Sequence, residues 1–588
     1  MMRLNNGQVL LVMVGLAIAL AYGLMLLQWG VQRMSEELLT DPFLQAPTPT
    51  SVNVVWFTEF EGAEHFVEYG RGRRAIATTT QLSRTREDAA SRVGDQTEDG
   101  QVYQTVRDRP IWRHEAILSD LAGTVPYRAV SLKRDRQMVR SQPYQASPAP
   151  APGTPLKILL TSDHQSKPMT AANLQKVVAT IGAIDAVFMA GDLVNIPDRA
   201  SEWFDDNRGN AFFPCLQGRA SYTMNYDDSE TTYQGGAIIQ SAPLFVAVGN
   251  HEVMGRQSDA DLKEQFNDPH PRAIAIQRYQ AQAAEINPTN DPAITAEWIK
   301  NQSFNIDTVQ ELFTPLNAEE PRSPYYAVTV GDVRLVVLFA TNIWRNPSLN
   351  PNVRGRYREQ DAALDDPNQW GYGQHIFEAI APGSPQHNWL QAELASPEFQ
   401  QATYKVVMLH HPPHSIGDNI VPAYTDPVQI IDRLPDGRIQ SVRYEYPKDQ
   451  DYLIRDVMPL LENAGVQLVL YGHSHLWNRF INGATHYLET SNVGNTYGAY
   501  LSDRRPIPVG FQEDYAAFDD PNGLEPVIPA IAPLTDDNGN PLPYIASNEI
   551  TAFSILDTGT GTVSSYRFDT RQPDSEVVKF DEFTLSVD

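Results

Sequence analysis

Five apolar stretches of this sequence end in residues that can bind a metal ion or move a proton. "LKILLTS" delivers Asp163, with His164 and Gln165 directly behind it. "DAVFMAG" delivers Asp192 in "GDLVN", and "PLFVAVG" delivers Asn250, His251 and Glu252 in "GNHE". "YKVVMLH" ends on His410 in "HHPPH", and "VQLVLYG" delivers His473 and His475 in "GHSH". Ligands of open α/β sheets gather at the carboxyl ends of strands, where loops leave the sheet. Loops spread from Asp163 to His475 can therefore converge. Two cations about 3.5–4 Å apart need a carboxylate that bridges them and further oxygen and nitrogen donors on each. Two aspartates, an asparagine oxygen and three imidazoles meet that need. Such a pair lowers the pKa of a water and holds a phosphate oxygen beside it. The glycines just before Asp192, Asn250 and His473 allow sharp turns that aim the next side chain. The plain alternative is a set of unrelated strand ends with polar punctuation. For Asp163 three readings stand: a metal site with one ligand displaced, a site with one ligand missing, or an ordinary strand end.

The elements that must position these residues follow from the rest of the chain. At 588 residues it is too long for one ordinary domain, and two or three are expected. Hydrophobic residues make up 42%, as in globular proteins. The net charge of −27 argues against nucleic acid as a structural partner but not against an anionic substrate, because bound cations reverse a local field. The single cysteine, Cys215, excludes an intramolecular disulfide and a thiolate cage. Residues 45–139 hold short runs rich in β-branched and aromatic residues, such as "SVNVVWFTEF", "HFVEYG" and "YRAVSLK", and predict a β-sandwich. Residues 140–155 carry five prolines and predict a semi-rigid linker. From 156 to 575, buried strands alternate with helical stretches such as "MTAANLQKVVATIG", the pattern of an α/β domain. Polar insertions are expected at about 254–320 and 345–382. After a proline-rich excursion, "ITAFSILDT" and "TVSSYRFDT" close the fold.

The N-terminus carries a membrane signal at 8–29. Val9 to Leu27 is continuously apolar, close to the ~20 residues that cross a bilayer. Arg3 precedes it, and the positive-inside rule then leaves everything after residue 35 outside the cytoplasm. The expected protein is membrane-anchored, with its catalytic domain periplasmic or on the cell surface. The rival reading is a signal peptide cleaved near Ala19-Leu20-Ala21, which gives a secreted protein.

Taken in order, D-x-x, GDxxN, GNHE, HHPP and GHxH resemble the metallophosphoesterase superfamily. The preceding "PTPTSVNVVWFTEF" and "HFVEYG" resemble the N-terminal domain of purple acid phosphatases. The resemblance covers roughly residues 45 to 570. It implies an α/β fold, a metallophosphoesterase β-sheet sandwich flanked by helices and preceded by an all-β, fibronectin-III-like sandwich and the transmembrane helix. It further implies hydrolysis of a phosphate ester, monoester or diester, by a metal-bound hydroxide at a dinuclear centre. Asp163, Asp192 and His475 would hold the first metal. Asp192 would bridge to a second held by Asn250, His410 and His473. His251 would contact the scissile phosphate, and Glu252 would fix a histidine. His411 and His414 could line the pocket, and Arg354, Arg356 and Arg358 could meet an anionic substrate.

Two positions depart from the family pattern. Asn195 stands where purple acid phosphatases carry the tyrosine whose charge transfer to iron gives their colour. Gln165 stands where other members carry the histidine of D-x-H. Oxygen and nitrogen donors without thiolate allow Mn, Fe, Zn or Co. If the strand stays extended past Asp163, Gln165 points the same way and His164 the opposite way. Gln165 is then a weak ligand of the first metal, or holds a water on it, and His164 packs or meets solvent. The alternative function is a non-catalytic scaffold built on a decayed phosphatase domain.

Overall fold

The computed structural model describes residues 38–586 apart from 95, 97–102, 227–228, 258–259, 268–271, 318–322, 344–358, 360, 368–369, 371–374, 418–422, 427 and 502–518. The apolar run Val9–Leu27 and Arg354, Arg356 and Arg358 lie outside the described residues, as does part of the 345–382 insertion. No helix among the described residues is long and apolar enough to cross a membrane.

The N-terminal region forms two antiparallel sheets. One runs Phe43–Thr48, Ser51–Thr58, Trp112–Leu118, Thr78–Gln81. The other runs Met138–Arg140, Val125–Leu132, Glu64–Tyr69, Arg73–Ile76, with Tyr144–Ala146 also on Val125–Leu132. Alternating inward residues, among them Val54, Trp56, Val67, Ala116, Tyr127 and Ala129, make the core between them. The proline-rich 140–155 stretch is thus partly woven into a sheet. Its prolines leave Tyr144, Gln145 and Ala146 intact as a pairing segment.

The remainder is a sandwich of two mixed sheets. The first orders Leu244–Val246, Ala186–Met189, Lys157–Thr161, Ile550–Asp557, Thr562–Asp569, Val578–Thr584. Its first three strands are parallel and the rest antiparallel. The second sheet orders Tyr326–Val330, Val333–Val337, Tyr404–Met408, Leu468–Tyr471, Thr485–Thr490, Trp477–Asn482, Tyr544–Ile545. Strands buried on both faces read as continuous apolar runs, and "KILLT" and "AVFM" show how each face is used. Ile158, Leu160, Ala186 and Phe188 meet Leu335, Val406, Met408 and Leu470 of the other sheet. Leu159, Val187 and Met189 point outward to a cluster containing Leu174 and Val177, from the helix Thr170–Ile181. On the far side, the helices Pro385–Leu394 and Met458–Asn463 bury Leu390, Met458 and Leu461 against Val336, Val407 and Val469. Three C-terminal strands, not two, extend the first sheet. The last, Val578–Thr584, lies beyond the boundary at 575 read from the sequence.

The parallel strands Lys157–Thr161, Ala186–Met189, Leu244–Val246, Tyr404–Met408 and Leu468–Tyr471 all end at one edge of the sandwich. The five polar loops leave from there.

Candidate metal centre

Two groups of side chains converge at this edge. Asp192, His410 and His473 offer donor atoms within 4.8 Å of one another, and so do Asp163, Asp192 and His475. Asp192 belongs to both. Asn250 joins the first group, its Oδ1 lying 3.1 Å from His410 Nε2 and 3.1 Å from His473 Nδ1. All but Asn250 are buried.

The loops hold these atoms at a conformational cost. Asp163, Asp192, His473 and His475 have φ of 57°, 54°, 82° and 57°. This left-handed region is unfavourable for side chains bearing a Cβ, and such strain clusters at functional sites. Gly249 and Gly472 allow close approach rather than a turn. A Cβ on Gly249 would come 2.2 Å from Asp192 Oδ1, and one on Gly472 would come 2.1 Å from Asp163 Oδ2. Of the three glycines expected to turn sharply, Gly191 has the positive φ, at 94°.

Each ligand side chain is oriented by a second contact. His410 Nδ1 donates to Ala190 O at 2.8 Å, and His475 Nδ1 donates to Asn495 O at 2.8 Å. A carbonyl only accepts, so the hydrogen sits on Nδ1 and the Nε2 lone pair of each neutral ring faces the centre. Burial disfavours the His410 cation, but without an ion Asp192 outweighs it and raises the pKa to about 9, so the proton then on Nε2 must leave before that lone pair can bind a metal. Burial also opposes ionisation of Asp163. The charge of Lys167 and the closeness of His475 and His410 override it and hold Asp163 well below the usual carboxylate range. Asp163 Oδ2 accepts His473 N at 2.9 Å. Its Oδ1 is buried, has no hydrogen-bond partner among the described residues, and lies 3.4 Å from His475 Nε2. An orphaned carboxylate oxygen among convergent imidazole nitrogens fits a divalent cation.

The remaining sequence candidates fall as follows. His251 is half-buried. Its N donates to Asp192 Oδ1 at 2.9 Å, and its Nδ1 donates to Asn195 O at 2.7 Å. Glu252 does not fix a histidine. It takes the backbone N–H groups of Gly249 at 2.7 Å, Asp192 at 2.8 Å and Leu193 at 2.7 Å, because a buried carboxylate is a strong acceptor for buried loop amides that no strand or helix pairs. It thereby ties the "GDLVN" and "GNHE" loops together. His411 accepts Asn342 N at 3.1 Å and stacks edge-on to His473 at 4.2 Å. His414 bonds Asp520 at 2.8 Å, away from both groups.

Gln165 reaches the centre, but not by the expected route. The strand ends at Thr161, and Asp163, Gln165 and Ser166 all have positive φ, so the extended geometry does not persist. Gln165 Nε2 donates to Asp192 Oδ2 at 2.9 Å. An ionised carboxylate only accepts, so the amide presents nitrogen there and not oxygen. His164 packs beneath, its Nε2 3.0 Å from Thr161 Oγ1 and its ring near Phe212. Asn195, in the tyrosine position, is a clip. Its Nδ2 donates to Gln165 O at 2.6 Å while its own carbonyl holds His251.

Two residues escaped the sequence reading. Glu489 is fully buried and accepts Ser474 N at 2.8 Å, Ser415 Oγ at 2.9 Å and Asn478 Nδ2 at 3.0 Å, which fixes the "GHSH" loop. Burial raises its pKa to about 8. A lone glutamate in the apolar strand "THYLET" is the signal that could have found it. Lys167 is buried too, and burial lowers its pKa to about 8 against the pull of Asp163, Asp192 and Glu489.

An α/β sandwich of two mixed sheets with aspartate and histidine donors clustered at one edge is the architecture of a metal-dependent phosphoesterase. The calcineurin-like phosphoesterase family matches residues 156–476, more than half of the chain, and the chain belongs to that family. Among solved structures, a purple acid phosphatase, PPD1, from yellow lupin (Lupinus luteus) seeds is 15% identical, with 92% of this chain and 74% of that chain covered and a TM-score of 0.49. PhoD is 12% identical over 94% of each chain, with a TM-score of 0.39. GAP50, the anchor in the inner membrane complex of Plasmodium, is 10% identical over 74% of this chain and 90% of that one, with a TM-score of 0.31. No curated protein sequence matches significantly.

Proposed function

We propose that the protein hydrolyses phosphate esters at a dinuclear metal centre. Asp192, Asn250, His410 and His473 would hold one ion, and Asp163, Asp192 and His475 the other. The observation that carries the reading is the sharing of Asp192 between two donor groups at the edge of a phosphoesterase sandwich. Bound there, the ions would polarise a phosphoryl oxygen and lower the pKa of a water.

The chain's own groups supply the rest. The hydrogen on His251 Nδ1 is committed to Asn195 O, so Nε2 is the nitrogen that exchanges a proton. In this reading that nitrogen meets the leaving oxygen and protonates it. Glu252 keeps His251 and Asp192 in register by holding both their loops. The Asp192 carboxylate accepts from His251 N and Gln165 Nε2, which fixes its plane before any ion arrives. As part of the same proposal, Val9–Leu27 anchors the chain in a membrane with the catalytic domain outside the cytoplasm.

The test is turnover of p-nitrophenyl phosphate and bis-p-nitrophenyl phosphate by the purified chain, with its metal content measured in parallel. Hydrolysis with bound metal supports the reading and ranks monoester against diester. Neither metal nor turnover after reconstitution with Mn, Fe and Zn overturns it in favour of a scaffold. Membrane fractionation with external protease tests the anchor: a fully soluble, uncleaved chain removes it.

A further inference from the structure

The centre contains an ammonium group that the proposed chemistry leaves unused. Lys167 is 3% exposed, and its Nζ has no hydrogen-bond partner among the described residues. A buried ammonium without a partner is costly and is normally exchanged for an apolar residue. Its place is fixed by the protein. Lys167 N donates to His164 O at 2.7 Å, Thr170 N donates to Lys167 O at 3.2 Å, and Asn210 Nδ2 donates to Ser166 O at 2.5 Å. The side chain is therefore held inside by a pinned turn.

Its charge falls on one half of the centre. Lys167 is the leading cation acting at long range on Asp163 and on His475. Asp163 and Asp192 in turn are the leading charges acting on it. Asp163 Oδ1, the carboxylate oxygen left over on that side, is likewise buried without a hydrogen-bond partner among the described residues. On the same side Gln165 presents amide hydrogens to Asp192, where the family pattern has an imidazole lone pair. The Asp163–Asp192–His475 side thus faces a buried, unpaired ammonium and has lost a donor. Lys167 is not among the leading influences on Asp192, His410 or His473, and that group keeps Asn250 as a fourth donor.

We propose that Lys167 supplies the positive charge of the first subsite, so that the two metal subsites are unequal. One ion is held tightly at Asp192, Asn250, His410 and His473, and a second binds weakly at Asp163, Asp192 and His475. This rests on the metal-centre reading above. The ammonium neutralises Asp163 and Asp192 while the first subsite is empty, and an arriving dication must work against it.

Metal content separates the possibilities without reference to activity. The full chain is loaded with Mn2+ or Zn2+, passed through gel filtration and analysed for retained metal, then titrated stepwise. The native chain is expected to retain about one equivalent, with the second step at least about 100-fold weaker. Lys167→Met should retain two, and Lys167→Arg one. His475→Ala should keep the retained ion and His410→Ala should lose it. Two ions retained equally by the native chain, or a Lys167→Met variant that binds as the native chain does, would overturn the proposal and leave the metal-centre reading standing. If Lys167→Met fails to fold, the native titration and the two histidine variants still decide. A native chain that binds no metal sinks both.

Discussion

Around Arg199, four guanidinium groups meet four buried carboxylates where the segment after Leu82 packs on the helix Ala200–Phe204. Around Asp192, at the other end of the same loop, carboxylates meet imidazoles and one ammonium. In the first region every carboxylate oxygen has a protein donor. Arg109 and Ser201 serve Glu87, and Arg199 and Leu262 N serve Asp88. Arg84, Arg86 and Thr308 serve Asp198. Arg199 with the Asn195 and Ile196 amides serves Glu202. None of these residues has a positive φ, whereas six of the twelve non-glycine described residues that do are Asp163, Gln165, Ser166, Asp192, His473 and His475. In the second region, Asp163 Oδ1 and Lys167 Nζ are left over. Both regions are buried and charged. The one whose carboxylate oxygens are all served by protein donors, with Arg84 Nη2 left over on the donor side, is structural, and the one that stays strained and keeps an orphaned carboxylate oxygen is built for something not made of protein.

The sharpest way to break this comparison is at the shared carboxylate. Asp192→Ala is expected to abolish metal binding at both subsites, the retained ion included, and cut turnover on the order of 10⁴-fold or more, because donors of both groups go at once. Retention of near-normal metal would show that the centre is assembled otherwise. Next in size is Arg199→Met. It strands Asp88 and Glu202 in the interior and should cost about 3–5 kcal/mol in denaturant unfolding, with metal content unchanged. A cost under about 1 kcal/mol would mean that the ion-pair cluster is dispensable. His251→Ala should keep the metals and lose about 10²-fold in kcat. Metal loss as large as that from His473→Ala would make His251 a ligand instead.

The centre was legible in the sequence because its ligand types stand directly after apolar runs. There the strand period places them at one sheet edge and few structural roles compete. Lys167 was not legible, since a lysine between a serine and a proline reads as solvated until the turn that buries it is seen. Gln165 was located at the centre but on a wrong premise, because nothing in "SDHQS" announces three left-handed residues. The role of Glu252 was missed for a related reason: backbone amides have no sequence signal. The arginine cluster was invisible, because Arg84, Arg86, Arg109 and Arg199 look like scattered surface charges until the fold brings them together. The last strand hid in the same way. "VKFDEFT" breaks the strand alternation where its pairing register shifts, so that Phe580 and Asp581 are both buried, and that aspartate meets Arg479 at 2.9 Å from the other sheet.

A third buried polar site extends the comparison to groups that stay neutral. In the N-terminal sheets His65 and His114 stack at 3.6 Å with their planes 15° apart. His114 lies 2.8 Å from Thr58 Oγ1 and 2.9 Å from Thr79 Oγ1, and His65 Nε2 donates to Glu61 O at 2.6 Å. Hydroxyls and a carbonyl suit neutral rings and offer no counter-charge. Burial, then the neighbouring His65 and Arg113, lower the His114 pKa from 6.5 to about 2, and burial lowers that of His65. The unfolded chain therefore binds protons that the folded one refuses. The stability these rings contribute is complete above pH 6.5 and is lost as the pH falls toward the folded value. Near pH 5, His114 alone should cost about 2 kcal/mol, at 1.36 kcal/mol per unit. His114→Gln keeps a side chain that can bond both threonines and takes up no proton. Urea unfolding of the metal-loaded native chain and of this variant, from pH 7 to pH 5, should therefore diverge by about that amount, with the variant flatter. Parallel curves would show that the stack opens to solvent before it is protonated, and that neutrality there is not enforced by packing.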